Sequence, residues 1–214
     1  MRPGSSTKDE VSICLYGLVR RLILRLNLFV KGRLMMIEPI QHRRSVRKFL
    51  EKPVEDEKLT EILEAARLAP SGNNRQPWYF IVIKDERLRQ EVAAATNNQM
   101  WIATAPVVIV AVADICARSE NYAGMFVDEE TCGFDLKRVI RDTTIAISYI
   151  LMEVDNQGLG ACWCGAFTQE GIRPVLGIPE DKFVLAVIPV GYPAEEPKAK
   201  PRKTLEEIVK YDRW

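Results

Sequence analysis

Three short stretches carry most of this chain's capacity for chemistry: "HRRSVRKF" (His42 to Phe49), "PSGNNRQPW" (Pro70 to Trp78) and "KAKPRK" (Lys198 to Lys203). All three are rich in cations or amides. A guanidinium is a planar fork suited to phosphate and Ser45 adds a hydroxyl donor. Arg43, Arg44 and Ser45 could therefore grip one phosphate if Lys200 and Arg202 converge on it. The competing reading is a solvated basic surface. Asn73, Asn74 and Gln76 can each donate and accept, and on a loop they could read the heteroatom edge of a planar ring. Gly72 permits the tight curvature and Pro77 ends the turn. A polar loop that satisfies only its own backbone is the alternative there.

Other chemistries are excluded by what is missing. His42 is the sole histidine and no Gly-x-Ser-x-Gly elbow is present, so a histidine-activated nucleophile has no base. Gly158-Leu159-Gly160 begins like a dinucleotide fingerprint. However, Trp163 stands where the third glycine belongs, and a long helical pattern precedes the motif where a strand should be. The cysteines (Cys14, Cys116, Cys132, Cys162, Cys164) are odd in number and scattered, which supports neither a zinc module nor a disulfide framework. In a strand, Cys162 and Cys164 would share one face as two small buried residues.

At 214 residues, 47% of them hydrophobic, the chain is long enough for one sizeable core. A net charge of +1 gives no overall footprint for nucleic acid. The balance hides a basic segment: residues 1–35 hold seven Lys/Arg against Asp9 and Glu10. Within it, residues 11–34 are apolar, but Arg20, Arg21 and Arg25 interrupt them short of the ~20 residues a membrane span needs. No small-residue cleavage site follows, so a secretory signal fits poorly and a cytoplasmic location is expected. Two readings remain. One is an amphipathic helix on an anionic membrane surface, with Leu15, Leu18, Leu22, Leu26 and Phe29 on one side. The other, which we prefer, is an extension outside a working domain of residues 36–214.

The elements that must position these groups follow from periodicity. Leu59, Ile62, Leu63, Ala66 and Ala69 recur at helical spacing behind acidic residues and stop at Pro70. Trp78 to Lys84 reads as a strand, Asp85 to Ala95 as a charged helix and Pro106 to Asp114 as a buried strand. Residues 115–134 lack a period and read as a partly helical excursion of the kind that covers a pocket. Asp135 to Asn156 is the long central helix, capped near Gly158. Ala161 to Phe167 and Phe183 to Pro193 are strand candidates around a short helix, and another short helix closes the chain.

Taken in order, "HRRSVRKF", "APSGNNRQPWYFIVIKD", "APVVIVAVAD", "GLGACWCGAF" and "VGYPAEEPKAKPRKTLEEIV" resemble the FMN-dependent nitroreductase family, over roughly residues 37–209. The resemblance implies an α+β sandwich, with a central mixed, mainly antiparallel β-sheet flanked by helices, built as a homodimer with flavin sites at the interface. It implies that Arg43, Arg44 and Ser45 hold the FMN phosphate and ribityl end, that Arg47 also binds the cofactor, and that Lys200 and Arg202 complete the phosphate site. Pro70, Ser71, Asn73, Asn74 and Gln76 would contact the flavin, usually from the partner subunit. Cys162, Trp163, Cys164 and Gly165 match the segment along the isoalloxazine ring. The implied activity is a ping-pong reaction in which FMN takes a hydride from NADH or NADPH and passes it to a small acceptor such as a nitroaromatic or quinone. The chemistry would lie on the cofactor, with no catalytic side chain. The alternatives within this resemblance are a flavin- or deazaflavin-binding module without turnover and a specialised reductive dehalogenase. The acceptor and the choice between NADH and NADPH stay open, because residues 115–134 match nothing that names a substrate.

Overall fold

The computed structural model describes residues 36–131 and 133–214; the basic segment, with the membrane-surface reading attached to it, and Cys132 lie outside the described residues. The chain divides into two units, residues 1–41 and 42–214. Of the first, residues 36–41 are described and lead into a short helix, α1 (Glu38–His42). The remaining elements belong to the second unit.

Four antiparallel strands form one sheet in the order β1-β2-β4-β3: β1 (Trp78–Ile83), β2 (Val107–Asp114), β3 (Gly160–Ala161) and β4 (Lys182–Gly191). Every residue of β2 is buried, as expected of a continuous apolar run covered on both faces. Its alternate residues serve two layers. Val107, Ile109 and Ala111 pack with α2 (Asp56–Arg67) and the central helix α4 (Phe134–Asn156). Val108, Val110 and Val112 pack with α3 (Glu86–Ala95) and α5 (Gln169–Leu176). The result is helix, sheet, helix, an α+β sandwich. A final turn, α6 (Leu205–Ile208), lies near the C-terminus, started by a reciprocal capping box between Thr204 and Glu207.

Local chemistry sets the boundaries. Asp85 caps α3 by accepting from the Leu88 N–H at 2.8 Å, and Gly177 ends α5 in the left-handed conformation. The expected strand from Ala161 to Phe167 is cut short. The register with β4 continues, since Cys164 faces Val187. Opposite Cys162, however, the register places Pro189, which has no N–H to give, and the ladder breaks there. Among the described residues, parallel pairing is confined to a single bridge, Ser45 to Ala161.

Candidate flavin site

The basic stretch Arg43 to Phe49 is extended and sewn to the edge of the sheet. The Val46 N–H donates to Ala161 O at 3.0 Å, Leu50 N–H to Tyr192 O at 2.9 Å and Ala194 N–H to Lys48 O at 2.9 Å. The Arg47 N–H donates to Glu195 Oε1 at 2.7 Å. Alternation along an extended chain then sorts the side chains. Val46 is buried against the bare face of Gly160, where an added Cβ would lie 2.7 Å from its Cγ2. Ser45 lies beside the Cys162 thiol, and the Arg43 and Arg47 charges act on it from either side in sequence. There the Cys164 thiol, the Ser45 hydroxyl and the two guanidinium charges pull the Cys162 pKa down to about 6 against the effect of burial. The Cys164 thiol is pushed up, by its hydrogen bond to Cys162 and by burial. Both cysteines are almost fully buried, at 3% and 5% exposure.

Arg44, which sequence reasoning placed with Arg43 and Ser45 on one phosphate, donates from Nη1 to His42 O and Arg43 O at 3.1 and 3.0 Å. With Arg43 it helps line a cavity of about 500 Å³, together with Val46, Leu151, Val154, Asp155 and Leu159. Burial pushes the Asp155 carboxyl up, opposed by the charges of His42, Arg43 and Arg44. Arg47 borders a wider cleft of about 960 Å³ with Lys48, Leu50, Lys52, Arg89 and Trp101, and its guanidinium lies 5.9 Å from the Trp101 ring. Lys200 and Arg202 are exposed on the extended tail, and neither forms an ion pair among the described residues.

The amide loop is compact and strained. Ser71 Oγ accepts from the Gln76 N–H at 2.9 Å, and Gln76 Nε2 donates to Asn74 O at 3.1 Å. Asn73, Asn74 and Gln76 all take positive φ, at 55°, 53° and 48°. Asn tolerates that region; Gln does so far less readily. Pro70, Asn73, Asn74 and Gln76 stay exposed. Gly165 is exposed too, while Trp163 is half-buried against the α2 and α4 layer.

Sequence reasoning missed the ion pairs that hold the surrounding loops. Arg118 and Asp142 pair at 2.6 Å behind Gly72. Lys182 Nζ sits 2.9 Å from Asp114 and 3.0 Å from Asp181, beside Cys116. Burial opposes the charge on Lys182, but hydrogen bonds to Asp114 and Asp181 outweigh it and raise its pKa. One signal was available: Asp142 falls on the buried stripe of α4 with Val139, Thr143 and Ala146, where a lone charge needs a partner.

The nitroreductase family model matches residues 40–192. A putative NADH dehydrogenase/NAD(P)H nitroreductase of Methanothermobacter thermautotrophicus is 34% identical over 166 residues, spanning 76% of this chain and 79% of its own. The FMN reductase (NAD(P)H) of Bacillus subtilis is 28% identical over 81% of this chain and 72% of its own. Among solved structures, the NADPH:FMN oxidoreductase of Vibrio harveyi in complex with NAD+ matches with a TM-score of 0.74 at 26% identity, covering 83% of this chain and 77% of that one. With most of its length matched, this chain belongs to the nitroreductase family.

Proposed function

We propose that the chain is an FMN-dependent oxidoreductase that uses NADH or NADPH to reduce a small acceptor, a nitroaromatic or a quinone. The FMN reductase and the NADPH:FMN oxidoreductase among its relatives support the cofactor pair. The observation that carries the reading is the extended basic stretch 43–47, whose Ser45 hydroxyl and Arg43 and Arg47 charges act on the Cys162 thiol and whose backbone is held by hydrogen bonds to the sheet edge. This donor set fits a phosphate: it is cationic and its backbone is fixed before any ligand arrives. Gly165, exposed and without a side chain, leaves the backbone accessible to a flat ring, and Asn73, Asn74 and Gln76 present donors and acceptors for a ring edge.

When bound, FMN supplies the hydride chemistry that no side chain here can perform. The chain's own work is binding and orientation: Arg43, Ser45 and Arg47 anchor the phosphate, the 162–165 segment offers its backbone along one face, and residues 70–76 supply amide contacts from a second copy. Two copies of the chain then share each site, as a homodimer. Purified protein should show a flavin band in its visible spectrum that NADH or NADPH bleaches under anaerobic conditions. A bound flavin that neither donor reduces would favour a binding module without turnover, and protein that takes up no FMN on reconstitution would overturn the assignment.

A further inference from the structure

Two donors meet at one carboxylate oxygen of the central helix. Arg118, at the head of the 115–134 excursion, places Nη2 2.6 Å from Asp142 Oδ2, and the Gly72 N–H donates to the same oxygen at 3.2 Å. The pair is withdrawn from water, its side chains 5% and 13% exposed. The next helix residue, Thr143, donates its hydroxyl to Pro77 O at 3.2 Å, so α4 grips the amide loop at both ends. Between the two grips lie Asn73, Asn74 and Gln76 in left-handed conformations, which persist only where the surroundings impose them.

Two further observations single out Arg118. A Cβ on Gly72 would come within 2.6 Å of Nη2, so the guanidinium rests directly on the loop backbone and the glycine makes room for it. Arg118 Nε is buried with no hydrogen-bond partner among the described residues, so satisfying its own donors does not explain where the side chain lies.

We propose that Arg118 is a positioning residue: acting through Asp142, it fixes the 70–76 loop in the conformation that presents Asn73, Asn74 and Gln76 to the flavin. It thereby ties the 115–134 excursion to the cofactor site. That excursion is docked independently on α5 and the turn that follows it, through Arg173 Nη1 on Val127 O at 2.8 Å and the Val127 N–H on Glu180 O at 3.0 Å. This proposal rests on the flavin reading of the loop.

The test uses full-length Arg118→Met with wild type alongside. The first readout needs no flavin: the rate at which trypsin cuts apoprotein after Arg75, an exposed residue within the loop, followed by mass spectrometry. The second is the FMN dissociation constant. Arg118→Met should be cut at least ~10-fold faster and bind FMN at least ~10-fold more weakly, with an unchanged fold by circular dichroism. Gly72→Ala alone should also weaken FMN, yet add little in the Arg118→Met background, where its Cβ no longer meets the guanidinium. Faster cutting with unchanged affinity, unchanged cutting, or an equal Gly72→Ala cost in both backgrounds would each overturn the proposal. If Arg118→Met does not fold, Arg118→Lys keeps a charge beside Asp142 without the planar fork, and should fall between wild type and full loss on both readouts. A wild type that binds no FMN removes the flavin role and the functional reading with it, and the cutting rate alone then decides whether Arg118 holds the loop.

Discussion

At the scale of single residues, the charges of residues 43–47 face more than one neighbourhood: Arg43 and Arg44 line one cavity and Arg47 borders another cleft. Arg43, Ser45 and Arg47 share the thiol of Cys162, whereas Arg44 bonds its own chain's carbonyls. Arg47→Ala should therefore weaken FMN about 10- to 100-fold, the value of a charge-assisted hydrogen bond of roughly 1.5 to 3 kcal/mol. Arg44→Ala should have a smaller effect; equal losses by fluorescence titration would show that the two guanidiniums serve one phosphate after all. The same cluster sets a titration. Cys162 should ionise near pH 6, and Cys164→Ala, which removes its strongest hydrogen-bond donor, should move the midpoint up. Ultraviolet thiolate absorbance, taken as the difference from Cys162→Ala, measures both. Because the folded pKa is depressed, the thiolate's contribution to stability is complete above the free thiol's pKa of about 8.5 and is lost as pH falls through 6. The stability advantage of wild type over Cys162→Ala should accordingly shrink between pH 9 and pH 5.

At the scale of elements, β3 is only two residues long, yet it holds the stretch proposed to bind the phosphate in place. Ser45 bridges Ala161 and Val46 fills the space left by Gly160. Gly160→Ala would drive a methyl into Val46, a stiff β-branched side chain whose Cβ is 2.8 Å from the added atom. The expected cost is about 1 to 3 kcal/mol of stability, with FMN retention falling too, and Val46→Gly in the same chain, which removes the Cβ as well as both methyls, should make the second change cost less than it does alone. Thermal denaturation of the single and double variants measures this; additive losses would mean that Val46 is not what Gly160 accommodates. Most elements were legible in the sequence because their signals are local. The two long buried strands read as β-branched runs, and α4 as a stripe at helical spacing. The early end of β3 was not legible, because it depends on Pro189, a residue 27 positions beyond Cys162 that only the pairing register brings opposite it. The candidate site was proposed from residue types, in Arg43, Ser45, Arg47 and the amide loop, and their surroundings were not legible. The bonds of Arg44 to the His42 and Arg43 carbonyls needed the knowledge that residues 43–47 run extended beside Ala161. Arg118 and Asp142 were missed for the same reason, their pairing being tertiary.

At the scale of the whole molecule, a single chain leaves apolar surface that its own core does not use. Ile145 and Tyr149 are exposed on the outer side of α4, and Leu205, Ile208, Tyr211 and Trp214 are exposed along the last ten residues. A four-residue helix such as α6 has no stability of its own in water, so its apolar residues gain order only by packing on something else. A second copy meets both needs: α4 faces would pair about a twofold axis, isologous and self-complementary, and each tail would lie on the other subunit. The amide loop is clamped to the same helix through Asp142 and Thr143, so a pairing that buries Ile145 and Tyr149 would set that loop beside the contact. On this account cofactor and assembly are linked, each stabilising the other by mass action. Tyr149→Asp places a charge in the proposed contact without touching the residues assigned to FMN, and should lower both dimer affinity and flavin affinity by at least ~10-fold. Analytical ultracentrifugation, monitored at the flavin band and in the far ultraviolet, follows the two together on dilution. Flavin should leave as dimers part, and a monomer that sediments with its flavin would show that one chain builds the site alone.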